Sequence, residues 1–397
     1  MTTKTILILG GSEFQVPLIQ AAKQLGLYVL TCDYLPDNPG HALADKYINI
    51  STTDKDAVLQ LAIDYKIDSI ATFASDPAIP TIGYVAEALG LPGISAQAAQ
   101  NFSNKDLFRQ VLKQAGLRTP SFYLTKSAAI PFGLNNNKPY IVKPVDSSGS
   151  KGVRLSTGTQ SNILECIDYA LSFSRSHRCI IEEYLQGPQV HGDGFLQDGK
   201  LIAGYFGDQY FYTQSDSFIP ISTRWPTVHA DVYQQLKIQL EQLAAHTGYL
   251  NGPINVEARL NRDNELYLIE VGARNGGNFV PLLQKRLTGF DYVDAVLKVS
   301  LGQKVVHNEA GQQTQRKIGA YYVLHAQTDG IFAGINIDSS LELFIFYKKL
   351  FKKKGEAVQQ YCGSHTSVGV LLLAFPTVET RDQQMNNIDD LVRVLYA

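Results

Sequence analysis

The chain has 397 residues, 45% of them hydrophobic, and its 35 Lys plus Arg against 37 Asp plus Glu leave a formal net charge of -2. That length supports two or three cooperating domains with sizeable cores, and the near-neutral charge excludes a general attraction to nucleic acid or to an anionic membrane. Cys32, Cys166, Cys179 and Cys362 lack CxxC or CxxxC spacing, and the amino-terminal apolar run is too short to span a bilayer and lacks the parts of a secretory signal, so a reduced, cytoplasmic setting is expected.

Residues 5–9 read as a buried strand that Gly10-Gly11-Ser12 interrupts before a helix over about 14–25. Strands at 28–32, 48–50 and 67–72 alternate with helical patterns at 54–65 and 77–89, which predicts a parallel sheet covered on both faces. Residues 1–100 therefore form a three-layer α/β unit. GGSEFQ lacks the later glycine of a dinucleotide fingerprint, although Asp33 leaves a Rossmann-like dehydrogenase open by spacing; a tight turn, or an anion site, is the simpler reading. A new helix capped at Ser103 or Asn104 should run to Ala115 and stop at Gly116. Lys105 falls in its first turn, where the helix dipole disfavours a cation, so a contact beyond the helix competes with a solvated side chain.

Residues 140–143 form a strand carrying Lys143, ended by Pro144; the loop 146–152 follows, and apolar alternation resumes at 153–155. A helix at 162–174, a strand at 179–182, a linker at 183–187 and a hairpin of 192–196 with 201–205 about Asp198-Gly199 complete an antiparallel α+β module. Residues 232–247 are helical by spacing. Strands at 319–325 and 367–375 and a closing helix at 386–396 are expected in the last part, where the basic run 348–354 reads as a solvated helix end or loop.

The chemistry concentrates in four places. Glu257 and Glu270 flank the hairpin NVEARLNRDNELYLIEVGAR; if its strands pair symmetrically about Asp263-Asn264, the two carboxylates face one another and a shared divalent cation would relieve their repulsion. Ser147, Ser148, Gly149, Ser150 and Gly152 lack the frame of a P-loop, yet a glycine-serine turn after a lysine-bearing strand can present N–H groups to phosphate, as it can simply be a mobile turn. Glu182 and Glu183 stand where a strand enters a linker, and the backbone of Glu183, Tyr184 and Leu185 could read an adenine edge while a carboxylate holds its amino group or ribose; exposed glutamates there serve solubility equally well. Arg274, in EVGARNGGN, offers a guanidinium fork to a carboxylate or γ-phosphate. Together these suggest a metal-dependent ATP enzyme.

In this order, Lys105, YIVKP, DSSGSKGV, EEYLQG, VEARL and IEVGARNGG resemble the ATP-grasp superfamily. The likeness is to carboxylate-amine and L-amino-acid ligases, phosphoribosylaminoimidazole carboxylase ATPase subunits and carbamoyl phosphate synthase large-subunit halves. The resemblance implies an α/β preceding domain at 1–100, α+β ATP-grasp lobes at 101–320 with a lid and nucleotide region at 140–205, and a C-terminal accessory part at 321–397. It implies ATP in the cleft between two lobes, with Lys105 and Lys143 at its phosphates, 147–152 as a lid, and Glu182, Glu183, Tyr184 and Leu185 about the base. Glu257 and Glu270 would ligate Mg2+, with Mn2+ as an alternative, and Glu270, Lys143 and Arg274 would serve catalysis, Arg274 holding the acceptor carboxylate or acyl phosphate. The implied reaction joins a small carboxylic acid to an amine through an acyl phosphate, with homodimerisation through the first domain as in relatives.

Two residues depart from the pattern. Gly272 stands where many relatives have asparagine, so one metal contact is either missing or supplied by Asn275, Asn278 or water; Gln189 stands where a glutamate is common. A bicarbonate-dependent carboxylase or carbamoyl-phosphate-type enzyme, and a catalytically weak nucleotide-binding regulatory or scaffold protein, are the alternatives. Specificity is expected from strand ends at 11–13 and 72–76, from 207–224 and from 274–280, with Phe211, Tyr212, Arg224 and Trp225 as candidate entrance residues.

Overall fold

A computed structural model describes residues 3–135, 137–212, 218–306 and 317–397. The first unit is a four-stranded parallel sheet, with β1 (Thr5–Leu9) between β2 (Tyr28–Cys32) and β4 (Ser69–Ala71), and β3 (Lys46–Ile48) outside β2. Alternation along β1 explains its two coats. Ile6 and Ile8 pack with Leu18, Ile19 and Ala22 of α1 (Val16–Gln24), whereas Leu7 and Leu9 pack with residues of α2 (Lys55–Asp64) and α3 (Ile79–Leu89). β3 lies two residues earlier than expected, since Cys32 pairs with Ile48.

Helices α4 (Ala96–Ser103) and α5 (Lys105–Gln114) lead into a second sheet of β5 (Phe122–Thr125), β6 (Tyr140–Pro144), β7 (Arg154–Ser156) and β8 (Cys179–Glu183), in the order β5-β8-β6-β7. α6 (Gln160–Phe173) covers this lobe through Ile163, Cys166, Ile167 and Ala170. The other lobe is built on β9 (Gln189–Gln197), β10 (Lys200–Phe211) and β11 (Pro220–Trp225), then α7 (Val232–Thr247), β12 (Gly252–Leu260), β13 (Leu266–Gly272), α8 (Val280–Thr288), α9 (Tyr292–Ser300) and β14 (Ile318–His325). β15 (Gly330–Ile337), α10 (Ser339–Glu342), β16 (Ile345–Leu350), β17 (Ala357–Val358), β18 (Ser367–Phe375), α11 (Val378–Asn386), α12 (Ile388–Leu391) and β19 (Val392–Tyr396) complete the chain. An eight-stranded antiparallel sheet runs β13-β12-β9-β10-β11-β14-β18-β16, beside a small sheet β17-β15-β19.

Two expectations for the last part fail. Helix does not continue through 386–396: it ends with α12, and Val392–Tyr396 pairs as a strand with β15. Its β-branched and aromatic residues favour that pairing over an isolated last turn. The basic run begins on a strand, β16, where Lys349 pairs with Glu13 at 2.9 Å. The four cysteines are free thiols. Among the described residues no helix is long and apolar enough to cross a membrane.

Candidate functional site

The site is floored by a polar face of the large sheet. Gln189, His191 and Asp193 alternate along β9 with Val190, Gly192 and Gly194, so the polar three share one face. Register sets Asn255 opposite Asp193, Glu257 opposite His191 and Arg259 opposite Gln189. Val256, Ala258 and Leu260, on the other face of β12, enter the core beneath α7.

Glu257 does face Glu270, but not through the symmetric hairpin expected. From the tip, Leu260 pairs with Leu266, Arg259 with Tyr267 and Ala258 with Leu268; a bulge at Ile269 then restores the pairing of Glu257 with Glu270. The bulge is held from outside. Arg109 of α5 donates to the carbonyls of Leu268 (3.4 Å) and Ile269 (2.8 Å). The same guanidinium pairs with both oxygens of Glu182, Nε to Oε1 at 2.7 Å and Nη2 to Oε2 at 3.2 Å, and Lys143 Nζ lies 2.7 Å from Glu182 Oε2. All three side chains are buried. Glu182 is thus committed to two cations rather than free to hold an adenine amino group or ribose. Burial would raise its pKa, yet Arg109 and Lys143 hold it down at about 2.

One continuous cleft, about 1390 Å³ with its open mouth, is lined by Lys105, Lys143, Ser147, Ser148, Gly149, Ser150, Glu182, Glu183, Leu185, Glu257, Glu270, Arg274 and Asn278. Gly152, Tyr184 and Asn275 are not part of its wall. Gly152 has a conformational task, with φ +76° and a Cβ that would sit 2.7 Å from Pro144 Cγ and 2.8 Å from Phe173 Cβ. Tyr184 packs its ring on Phe218, centroids 5.7 Å apart. Asn275 is fully buried, with neither side-chain polar atom hydrogen-bonded.

The glycine-serine loop lies across the cleft. Ser150 Oγ donates to the Phe218 carbonyl at 2.7 Å, Lys105 Nζ donates to the Ser147 carbonyl at 2.6 Å, and a Cβ on Gly149 would stand 3.0 Å from Ser364 Oγ. Lys105 is also 3.5 Å from Glu270 Oε2, so the first-turn cation does have partners beyond its own helix. In the linker, Glu183 N–H donates to Ser121 and Tyr184 N–H to Pro139. Among the described residues the N–H groups of Leu185, Gln186 and Gly187 show no backbone acceptor, and of these three Leu185 lines the cleft.

Burial and the neighbouring Glu270 push the Glu257 carboxyl up to about 7, against the pull of Arg274, Lys143 and Lys105. Gln189, the departure from the common glutamate, donates to Glu257 Oε2 at 3.1 Å and to Gln209 Oε1 at 2.7 Å. A glutamate at 189 would add a third carboxylate to this pair. Compared with an exposed glutamate near 4.5, folded Glu257 binds an extra proton between about pH 4.5 and 7, so its contribution to stability falls as pH rises through that window. Glu257→Gln is expected to raise the melting temperature of the ligand-free protein more at pH 8 than at pH 5. Equal shifts at both pH values would show that the carboxyl titrates normally.

Behind the pair, Asp193 accepts from Gly276 N–H with both oxygens (2.8 and 3.0 Å) and from Asn255 Nδ2 (2.8 Å), which also donates to His191 Nε2 (3.1 Å). Burial pushes Asp193 up to about 6, and burial with nearby Arg274 pushes His191 down to about 3. His191 is therefore neutral, with Nδ1 facing Thr223 Oγ1 at 3.0 Å. This network anchors the 275–278 loop at Gly276. It was not anticipated, although the polar residues at alternate positions of an otherwise apolar strand were the available sign.

Arg274 is engaged already. Its Nε and Nη2 hold Asp76 Oδ1 and Oδ2 at 2.6 and 2.7 Å, and Nη1 donates to the Asn275 carbonyl at 3.0 Å. A Cβ on Gly272, where asparagine was expected, would lie 3.1 Å from Asp76 Oδ1 and 3.2 Å from Arg274 Nε, close against the pair. Of the entrance candidates, Phe211 lines the cleft. Trp225 is buried with its indole N–H on the Tyr205 carbonyl, Arg224 donates to Asn386 and Met385, and Tyr212 is buried, so all three pack. Residues 213–217 of the expected specificity segment lie outside the described residues.

Residues 136–281 match the ATP-grasp domain family, and this stretch contains the lysine strand, the loop, the linker and the paired glutamates. Over that stretch the chain carries an ATP-grasp domain. An uncharacterized protein, y4rH, of Sinorhizobium fredii is 25% identical over 307 residues, covering 72% of this chain and 61% of that protein. A formate-dependent phosphoribosylglycinamide formyltransferase of Dechloromonas aromatica is 31% identical over 194 residues, 45% of this chain and 47% of that one. The chain thus spans about half to three-fifths of the length of these curated relatives. In fold it resembles an L-amino acid ligase from Bacillus licheniformis (TM-score 0.84, 21% identity) and a phosphoribosylglycinamide synthetase from Anaerococcus prevotii (TM-score 0.77, 20% identity), each match covering both chains fully.

The residues suit the divalent cation that the ATP-grasp fold implies. Mg2+ is commonly held by one or two carboxylates with substrate phosphates and water, so two facing glutamates suffice even though the described residues contain no cluster of three or more His, Cys, Asp or Glu able to hold a metal.

Proposed function

We propose that this protein is an ATP-dependent ligase that activates a small carboxylic acid as an acyl phosphate and joins it to an amine, releasing ADP and phosphate. The observation that carries this reading is the convergence of Glu257, Glu270, Lys105, Lys143 and Arg274 on one cleft beneath a glycine-serine loop. The family match, and the ligase and synthetase names among proteins of similar fold, support it.

In this reading Leu185 N–H receives the adenine edge and Lys105 and Lys143 face the phosphates. Glu257 and Glu270 would hold the Mg2+, which would supply charge neutralisation on the phosphoryl oxygens. Asn278 is the compensating amide on the cleft wall, whereas Asn275 is buried away from it. The substrate carboxylate oxygen attacks the γ-phosphorus and ADP leaves. The amine nitrogen then displaces phosphate, forming the amide bond and losing a proton. Residues 147–152 keep water from the acyl phosphate.

ADP release in bicarbonate-free buffer, measured with paired carboxylic acids and amines, tests the reaction class. Acid-dependent release with stoichiometric amide is expected. Release that requires added bicarbonate would replace this reading with a carboxylase; ATP binding without stimulated release would replace it with a nucleotide-binding scaffold.

A further inference from the structure

The contact between Asp76 and Arg274 joins residues 198 positions apart and brings the first α/β unit to the edge of the cleft. Several local rules are broken to make it. Ala74, in the loop after β4 that presents Asp76, has φ +55°, a left-handed conformation unfavourable for a residue with a Cβ. Gly272 leaves empty the space that a side chain would take from the pair. Such departures concentrate at functional sites. The pair is not sealed in the core: the side chains of Arg274 and Asp76 are 13% and 25% exposed. Asp76 also lines a small side pocket that shares Lys105, Ser148 and Glu270 with the main cleft.

The guanidinium fork proposed above to receive the substrate carboxylate therefore already holds one. A plain carboxylic acid could take the fork only by displacing Asp76 and leaving that carboxylate without its cation. Lys105, the other cation that acts on Asp76, is engaged with the Ser147 carbonyl and Glu270. A substrate with an ammonium group beside its carboxylate solves both problems, because its carboxylate replaces Asp76 on Arg274 while its ammonium replaces Arg274 on Asp76. Building on the ligase reading, we infer that Asp76 is a specificity-determining residue that selects a zwitterionic α-amino acid over the corresponding acid without the amino group.

The test compares proteinogenic L-amino acids with their desamino counterparts on the full-length chain. Two readouts are used: the melting-temperature shift in the presence of Mg2+ and a non-hydrolysable ATP analogue, and ADP release with ATP. At least one amino acid is expected to act on wild type at concentrations on the order of 10²-fold below its desamino counterpart, because a site built for a charged group is left unpaired by an analogue lacking it. In Asp76→Asn that ratio should shrink by about tenfold or more. Desamino acids acting as well as amino acids on wild type would overturn this inference while leaving the ligase reading intact, and that comparison needs no variant to fold. A ratio unchanged in Asp76→Asn would overturn Asp76 as its source. Bicarbonate-dependent release, with no response to any carboxylic acid, would overturn the ligase reading and this inference together.

Discussion

Glu182→Ala is expected to destabilise the protein by about 3–5 kcal/mol, the usual consequence of removing one partner from a buried ion group. The variant would leave Arg109, fully buried, and Lys143, nearly so, without the carboxylate that lies 2.7 Å from each. The effect should extend beyond stability. Arg109 also holds the carbonyls of Leu268 and Ile269, and the bulge there sets Glu270 opposite Glu257, so loss of Glu182 loosens the hairpin from α5. Denaturant titration should show a lower midpoint, and ATP-dependent turnover should fall at temperatures where the variant is still folded. An unfolding free energy within about 0.5 kcal/mol of wild type, the range of ordinary surface changes, would show that the three charges are not coupled as described.

Glu257→Gln and Glu270→Gln are expected to lower turnover by at least about 10²-fold each, the range seen when one preorganised electrostatic group is removed from a reacting site. The two substitutions should differ in stability. Glu257 carries the raised pKa and has burial and a like charge against it, so its neutral replacement relieves strain in the ligand-free state. Glu270 lies 3.5 Å from Lys105, and its replacement removes that attraction. Opposite signs of the melting-temperature change at pH 8, with a common loss of turnover, would separate a shared chemical role from a shared structural one. Retained turnover in both variants would remove the glutamates from the mechanism.

Much of the fold followed from periodicity because its elements obey one local rule each. The spans 5–9, 28–32, 232–247 and 367–375 coincide with their observed elements, since each is either an apolar run bounded by turn residues or a regular helical stripe. The C-terminal segment was misread because residues 388–391 do form a helical turn, and only pairing with β15, distant in sequence, turns 392–396 into a strand. At the site, residue types and order were legible, whereas pairings were not. Glu182 was visible as a carboxylate at a strand end, but its partner Arg109 was hidden in an amphipathic helix. The sign of it was a charge adjoining the apolar positions Phe108, Val111 and Leu112, four residues from Lys105. Asp76 and Arg274 could not be matched from spacing, because their contact depends on how the first unit docks on the large sheet.

In the proposed site, carboxylates on two adjacent strands hold a divalent cation against the nucleotide's terminal phosphates. Electron paramagnetic resonance of Mn2+, titrated into the protein with a non-hydrolysable ATP analogue, tests it without requiring turnover or knowledge of the acid. Mn2+ is expected to bind more tightly with protein and nucleotide together than with nucleotide alone, and to lose that gain in Glu270→Gln with the nucleotide still bound. Unchanged Mn2+ affinity in Glu270→Gln would contradict it.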